Sequence, residues 1–265
     1  MLEIKALRVK FQNRTREAVS GVSLTIHDGE ILGLVGESGS GKAVPAMSIA
    51  GLLPRKQCSY SGEILLDGAE LLHIDRKELR KLQGKSIGVV FQEPMSAMDP
   101  LMKVGAQVEE VLRIHTKMTK AERKTAALEA LAAVDLPDPA AVYEKYPHEL
   151  SGGMLQRAMI AAAIVIRPKL LLLDEPTTAL DVTIQAQILE LLKRLNAESG
   201  ISMLFISHNL NVVRKLCSRV AVMEKGLLVE KGDVETVFHH PQHPYTQRLI
   251  NAIPRRQRKE DTPHE

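Results

Sequence analysis

The sequence predicts an α/β fold, a parallel sheet flanked by helices and split by an all-helical insertion. Three observations predict it. Strand-like apolar runs alternate with helical stretches in both the opening and closing parts of the chain. The run Ile31 to Val35 leads directly into a glycine-rich turn and then a helix. From about Pro94 to Ser151 the periodicity is helical with no strand between.

In chain order, LEIKALRVKF alternates as a strand does, and VSLTI follows before a turn at His27-Asp28-Gly29. The buried run Ile31 to Val35 comes next, then helical character from Val44 to Leu53, a strand in GEILLDG and another from Ser86 to Phe91. KVGAQVEEVLRIH, TKAERKTAALEALAAV and PAAVYEKY make up the helical insertion. Alternation resumes with LLLLDE, TIQAQILELLKRLNAE, SMLFISH, NVVRKLC, RVAVME and LLVEKGD, read as parallel strands with crossover helices. The tail RRQRKEDTPHE reads as a charged, flexible terminus.

Composition narrows the function. With 265 residues, 45% hydrophobic and 25% charged, the chain can bury a core and is not a disordered or disulfide-scaffold sequence. Aromatics at 3% without Trp leave few rings for stacking bases, and a formal charge of +3 is too mixed to call for an acidic partner, so no nucleic-acid partner is expected. Cys58 and Cys217 fit no metal-knuckle spacing and no disulfide framework. Glu3, Lys5, Arg8 and Lys10 interrupt any apolar signal segment, and the run Ala158 to Ile166 is too short to cross a bilayer. The expected place is the cytosol; at a membrane, another chain would supply the spans.

The chemistry concentrates in a few motifs. Gly36-Glu37-Ser38-Gly39-Ser40-Gly41-Lys42 stands between strand and helix, where glycines let backbone N–H groups turn around phosphate oxygens and a lysine reaches the outer phosphates. The next residue is Ala43, where the usual pattern has a Ser or Thr hydroxyl on Mg²⁺, and Pro45 falls in the first helical turn, where it is tolerated. Four leucines, Leu170 to Leu173, end in Asp174-Glu175, which puts two carboxylates at a strand's carboxyl end, one placed for Mg²⁺ and one for a general base. LSGGMLQR opens an apolar helix that Ser151 can cap, with Gly152 and Gly153 permitting close backbone approach.

The phosphate loop, LSGGMLQR, LLLLDEPT, Ala179-Leu180-Asp181 and Ser207-His208, in this order, resemble the ATPase subunits of ABC transporters over about residues 2 to 254. That resemblance implies a P-loop NTPase-type ABC ATPase core with an N-terminal antiparallel β subdomain and a helical subdomain at about 94–165. It also implies ATP on Gly36 to Lys42, Mg²⁺ on Asp174, Glu175 as catalytic base and His208 on the γ-phosphate. Gln92 matches the glutamine that senses metal and attacking water, and leads toward the membrane partner. Phe11 is the candidate for stacking on adenine, with core packing as its alternative. Ser151, Gly152 and Gly153 would close over ATP held by a second subunit, and Asp181 would cross that interface while also capping a helix.

VGESGSGK with FQEPMSAMDP, and the ending GDVETVFHHPQHPYTQRLINAIP at about 233–254, resemble the peptide and nickel importers in particular. The function implied is inward transport of peptides, nickel or metal chelates. ATP hydrolysis would drive it at the cytoplasmic face of the membrane, with a second ATPase subunit, two transmembrane permeases and an extracytoplasmic binding protein as partners. Ala43 keeps open an alternative, a regulatory subunit with a degenerate hydrolysis site beside a competent partner. A metal site at His239, His240 and His243 is the lesser reading of the histidines.

Overall fold

The computed structural model of the chain describes residues 1–54, 56–178 and 180–253. Its opening half holds β1 (Leu2–Phe11), β2 (Val19–Ile26), β3 (Ile31–Val35), α1 (Ala43–Ile49), β4 (Cys58–Leu66), β5 (Ala69–Glu70), α2 (Arg76–Leu82) and β6 (Ile87–Val90). Helices alone follow: α3 (Pro94–Ala97), α4 (Val104–His115), α5 (Lys120–Ala133), α6 (Pro139–Glu144), a 3₁₀ turn at Pro147–Glu149, and α7 (Gly152–Ile164). The closing part holds β7 (Leu170–Asp174), α8 (Val182–Ser199), β8 (Ser202–Ser207), α9 (Leu210–Leu216), β9 (Arg219–Glu224), β10 (Leu227–Asp233), α10 (Val234–His239) and α11 (Pro244–Asn251).

Two sheets result, an antiparallel one of order β2-β1-β4-β5 and a larger one of order β10-β9-β3-β8-β7-β6. The larger sheet is parallel from β6 to β9. Its strand β7 explains the four-leucine run. Leu171 and Leu173 enter one apolar cluster with the helical insertion, while Leu170 and Leu172 enter a second cluster with the antiparallel sheet. A strand covered on both faces has no reason to alternate. Each of these leucines is at most 1% exposed, and burying such a side chain contributes about 1.5–3 kcal/mol.

In β1 the buried positions Leu2, Ile4, Leu7 and Val9 skip one step of the alternation. A bulge absorbs it: the register with both neighbours shifts past Ile4, and Ala6 sits at φ +48°.

Sequence and structure differ at several places, among them α10 and α11, which stand where no element was expected, and β4, which begins at Cys58, ahead of GEILLDG. Strand β10 is antiparallel to β9, not parallel as expected. Lys225 and Gly226, both at positive φ, make a tight hairpin there, and a parallel return would need a long crossover. Helix α1 stops at Ile49, short of Leu53, because Gly51 turns left-handed at φ +66° and Pro54 follows. Strand β2 begins at Val19, earlier than VSLTI. The elements β5 and α2 were not anticipated, although Asp75 and Glu78 give the signature of a helix start and Asp75 accepts from the Lys77 amide. Cys58 and Cys217 are free and buried, and burial pushes both thiols up.

Candidate functional site

Parallel pairing brings the carboxyl ends of β3, β6, β7 and β8 to one edge of the larger sheet. Each of these strands ends at a residue singled out by sequence: the loop 36–42 after β3, Gln92 after β6, Asp174 and Glu175 at β7, and His208 after β8. Strand β8 lies between β3 and β7, so the glycine-rich loop and the carboxylates flank it. Crevices at strand ends are where open α/β sheets bind ligands.

The loop is held by its own backbone and by its neighbours. The Ser40 amide donates to Glu37 O at 3.1 Å, the Val44 amide to Gly41 O at 3.1 Å, and the Gly226 amide to Ser40 O at 2.8 Å. Gly41 sits at φ +94°, and a Cβ there would stand 2.4 Å from the Ala18 carbonyl oxygen, so no side chain fits. Glu37, Ser38 and Gly39 are exposed. The buried Ser40 Oγ has no hydrogen-bond partner among the described residues. Ala43 is the first residue of α1, whose start has no side-chain cap, and Pro45 lies within the first turn.

Four side chains converge on Glu175. Lys42 Nζ lies 3.2 Å from its Oε1, with the two side chains only 7% and 12% exposed. Gln92 Nε2 donates to Oε2 at 3.3 Å, Thr178 Oγ1 donates to Oε2 at 3.1 Å, and His208 Nδ1 lies 2.9 Å from Oε2. Lys42 also donates to Glu37 O at 3.2 Å. Burial alone would raise the Glu175 carboxyl, but the charges of His208 and Lys42 and hydrogen bonds from Lys42 and Thr178 hold it below the usual carboxylate range. The neighbouring Asp174 goes the other way. Burial and the Glu175 charge push it up, with Lys42 opposing. Glu175 has φ +46°, outside the usual region for a side-chain-bearing residue, and its amide donates to Ile206 O at 3.0 Å.

Two clefts open beside this cluster. One of about 520 Å³ is lined by Phe11, Arg14, Gly41, Lys42, Ala43 and Asp174, among others. The other, of about 480 Å³, is bounded by Ser38, Gln92, Glu175, Thr178, His208 and Leu249, among others. Phe11 is half-buried on the wall of the first, with the Arg14 guanidinium 5.9 Å from its ring centre.

Ser151, Gly152, Gly153 and Asp181 border neither cleft. Ser151 caps α7 by accepting from the Met154 amide at 3.4 Å, and Asp181 caps α8 by accepting from the Ile184 amide at 2.9 Å. Ser151, Gly152 and Asp181 are exposed. A Cβ on Gly153 would meet Ile184 at 2.8 Å, so the start of α7 lies against α8. Ala179 of the Ala179-Leu180-Asp181 motif lies outside the described residues, as does the tail from residue 254.

The histidines near the C-terminus do other work. His239 pairs with Glu235, and His243 accepts from the Tyr245 amide at 3.2 Å. Among the described residues no group of three or more His, Cys, Asp or Glu side chains could hold a metal ion. Sequence reasoning missed Thr178 and Tyr245 as neighbours of the site. Thr178 stands three residues beyond Glu175, a spacing at which a turn hydroxyl meets a carboxylate. Tyr245 arrives from far along the chain, and no local signal announces it.

Comparison with known proteins decides the family. A family model described as ABC transporter matches residues 19–178, and one described as oligopeptide/dipeptide transporter, C-terminal region, matches residues 229–265. This chain belongs to the ABC transporter family. The oligopeptide transport ATP-binding protein OppD of Bacillus subtilis is 47% identical over 257 residues, covering 96% of this ABC family chain and 72% of that protein. The peptidoglycan transport ATP-binding protein YejF of Agrobacterium fabrum is 49% identical over 267 residues, covering 100% of the chain and 48% of that protein. Among solved structures, the dimeric post-hydrolysis state of the ATP-binding cassette MJ0796 bound to ADP and Pi superposes with a TM-score of 0.79 at 30% identity, covering 88% of this chain and 99% of that one. The ABC fold thus accounts for both sheets. No helix among the described residues is long and apolar enough to cross a membrane.

Proposed function

We propose that this chain is the ATP-hydrolysing subunit of an importer of peptides, and that it works as one half of a dimer of such subunits. The observation that carries the reading is the convergence of Lys42, Gln92, Thr178 and His208 on Glu175 beside the glycine-rich loop. Without nucleotide, Lys42 and His208 both lie against that carboxylate. A triphosphate entering the loop 36–42 offers a stronger anion, so Lys42 and His208 pass to the phosphates while loop amides cradle them. Glu175 then loses the two charges that hold its carboxyl down, and its burial raises its basicity toward what a general base needs. It takes a proton from water as that water attacks the γ-phosphorus and ADP departs. Gln92 and Thr178 keep the carboxylate oriented.

Mg²⁺ fits the residues present, with one protein ligand fewer than usual. Magnesium binds through one or two carboxylates and completes its shell with phosphate oxygens and water. Asp174, whose charged form burial disfavours, is a carboxylate that a cation would stabilise, and Gln92, which lines the same cleft, would assist it. The bound ion supplies charge neutralisation on the phosphates. Ala43 contributes no oxygen.

Phe11 and Arg14 line the first cleft and would take the base. The exposed Ser151, Gly152 and Asp181, with Gly153 half-buried beside them, border neither cleft of their own chain, which suits a head-to-tail dimer in which they complete the partner's site. Beside Gln92 runs an apolar groove of about 420 Å³ whose walls include Leu52, Phe91, Met98, Val111 and Met159. Phe91 is 38% exposed there. A helical segment of a permease subunit is the proposed occupant, since Phe91 adjoins the glutamine that reaches Glu175 and the described helices cross no membrane. Work at the cytoplasmic face of the membrane, and cargo delivered by an extracytoplasmic binding protein, complete the proposal.

Peptide is the proposed cargo rather than nickel or a metal chelate, on the strength of the oligopeptide/dipeptide C-terminal match and the name of OppD. The test is the chain assembled with its permeases and binding protein in proteoliposomes. Added peptide accelerates ATP hydrolysis if the reading holds; acceleration by nickel alone, or by neither, contradicts it.

A further inference from the structure

The C-terminal segment reaches into the phosphate loop. The Tyr245 hydroxyl accepts a hydrogen bond from the Glu37 amide at 2.9 Å, across 208 positions of sequence. The carbonyl of the same residue is also occupied, by the Ser40 amide at 3.1 Å and by Lys42 Nζ at 3.2 Å. Glu37 is thus pinned at both its amide and its carbonyl while its side chain stays exposed.

Tyr245 is held by its own dock. It is 3% exposed, in helix α11, whose start is set by two amides, Gln242 and His243, donating to Glu230 on β10 at 2.8 and 3.0 Å. Arg248 lies 5.7 Å from the Tyr245 ring centre and pairs with Glu224 of β9 at 3.5 Å. One turn beyond Tyr245, Leu249 lines the same cleft as His208 and Glu175. The β9–β10 hairpin touches the loop independently through Gly226. Two separate contacts therefore join the loop to the last part of the chain.

We propose that Tyr245 is a positioning residue for the phosphate loop, through which the docked C-terminal segment sets the loop's affinity for a nucleoside triphosphate. The inference rests on the reading of Gly36 to Lys42 as the triphosphate site. A glycine-rich loop must lose conformational freedom to wrap phosphate, and that loss weakens binding. Tyr245 removes part of it beforehand by fixing the loop's one exposed bend in place. Tyr245 engages the Glu37 amide alone, so this contact takes no other loop amide away from phosphate oxygens.

The test is Tyr245→Phe in the full chain, with ATP affinity measured by calorimetry in the presence of Mg²⁺, steady-state hydrolysis, and thermal unfolding without nucleotide. The expected result is a rise of about three- to tenfold in Kd and KM for ATP, the scale of one hydrogen bond, with kcat at saturation within about twofold of the parent. Unchanged Kd and KM, with or without a lower Tm, overturn the proposal and leave Tyr245 a packing residue. Should Tyr245→Phe not fold, Glu230→Gln loosens the dock without touching the loop: a raised KM upholds the coupling and an unchanged KM overturns it. Failure of the parent chain itself to bind ATP is a different result, which removes the triphosphate reading beneath the proposal.

Discussion

Lys42 and Glu175 face each other at 3.2 Å across the mouth of the glycine-rich loop, both nearly shut off from solvent. Each is the other's counter-charge, and a buried charge without one is costly. On the proposed function, nucleotide binding is an exchange, in which phosphate takes Lys42 from Glu175. Replacing Glu175 by Gln removes the competitor for Lys42. Titration of Glu175→Gln with ATP is expected to give a Kd lower than the parent's by about threefold or more; weaker binding would mean that the pair supports the loop instead of competing with ligand.

Asp174 stores an electrostatic cost. Burial and the Glu175 charge raise its carboxyl above the usual range, so the folded state holds a proton there more tightly than the unfolded chain does. Its stability contribution consequently falls as pH rises through the ordinary carboxylate range, and the cost is complete above the raised value. Asp174→Asn is expected to raise Tm at pH 7 without Mg²⁺ or nucleotide, with the gain disappearing in acid, while Mg²⁺-dependent hydrolysis falls. Thermal melts across pH check it, and an Asn variant less stable at pH 7 would refute the assignment.

Ala43 opens α1 without an oxygen. Ala43→Ser restores a hydroxyl beside the cleft that holds Asp174 and Lys42. The Mg²⁺ concentration for half-maximal hydrolysis is expected to fall severalfold, about one charge-assisted contact in scale. Equal Mg²⁺ dependence in both proteins would mean that water or Gln92 already fills the position.

Gly41 leaves no room for a side chain, because the Ala18 carbonyl lies 2.4 Å from where a Cβ would go and the backbone has φ +94°. Gly41→Ala is expected to cost about 1–3 kcal/mol of stability and to abolish measurable ATP binding. Denaturant unfolding and calorimetry read the two effects separately.

Much of this arrangement was legible in the sequence because its signals are local. The bounds of β3 and the leucines of β7 follow from unbroken apolar runs, and Ser151, Asp181 and Asn209 cap the helices after them as their residue types suggest. The site residues sit at strand ends because the loop and the Asp174-Glu175 pair each close such a run. What stayed hidden depends on pairing across long separations. The sense of β10 is decided by the hairpin at Lys225-Gly226, which an apolar run alone does not reveal. The Tyr245 contact with Glu37 needs α11 to dock on Glu230, and no periodicity encodes that. The pairing of Lys42 with Glu175 is likewise a product of strand order, with β8 between β3 and β7.

The most direct test of the catalytic assignment is Mg²⁺-dependent phosphate release from ATP by the purified chain, with Glu175→Gln beside it. Turnover by the parent is expected, with a loss of at least about a hundredfold in the variant, the scale of a missing general base, and ATP binding retained. Equal turnover in parent and variant would contradict the assignment, since Glu175 would then hold Lys42 and His208 without taking the proton.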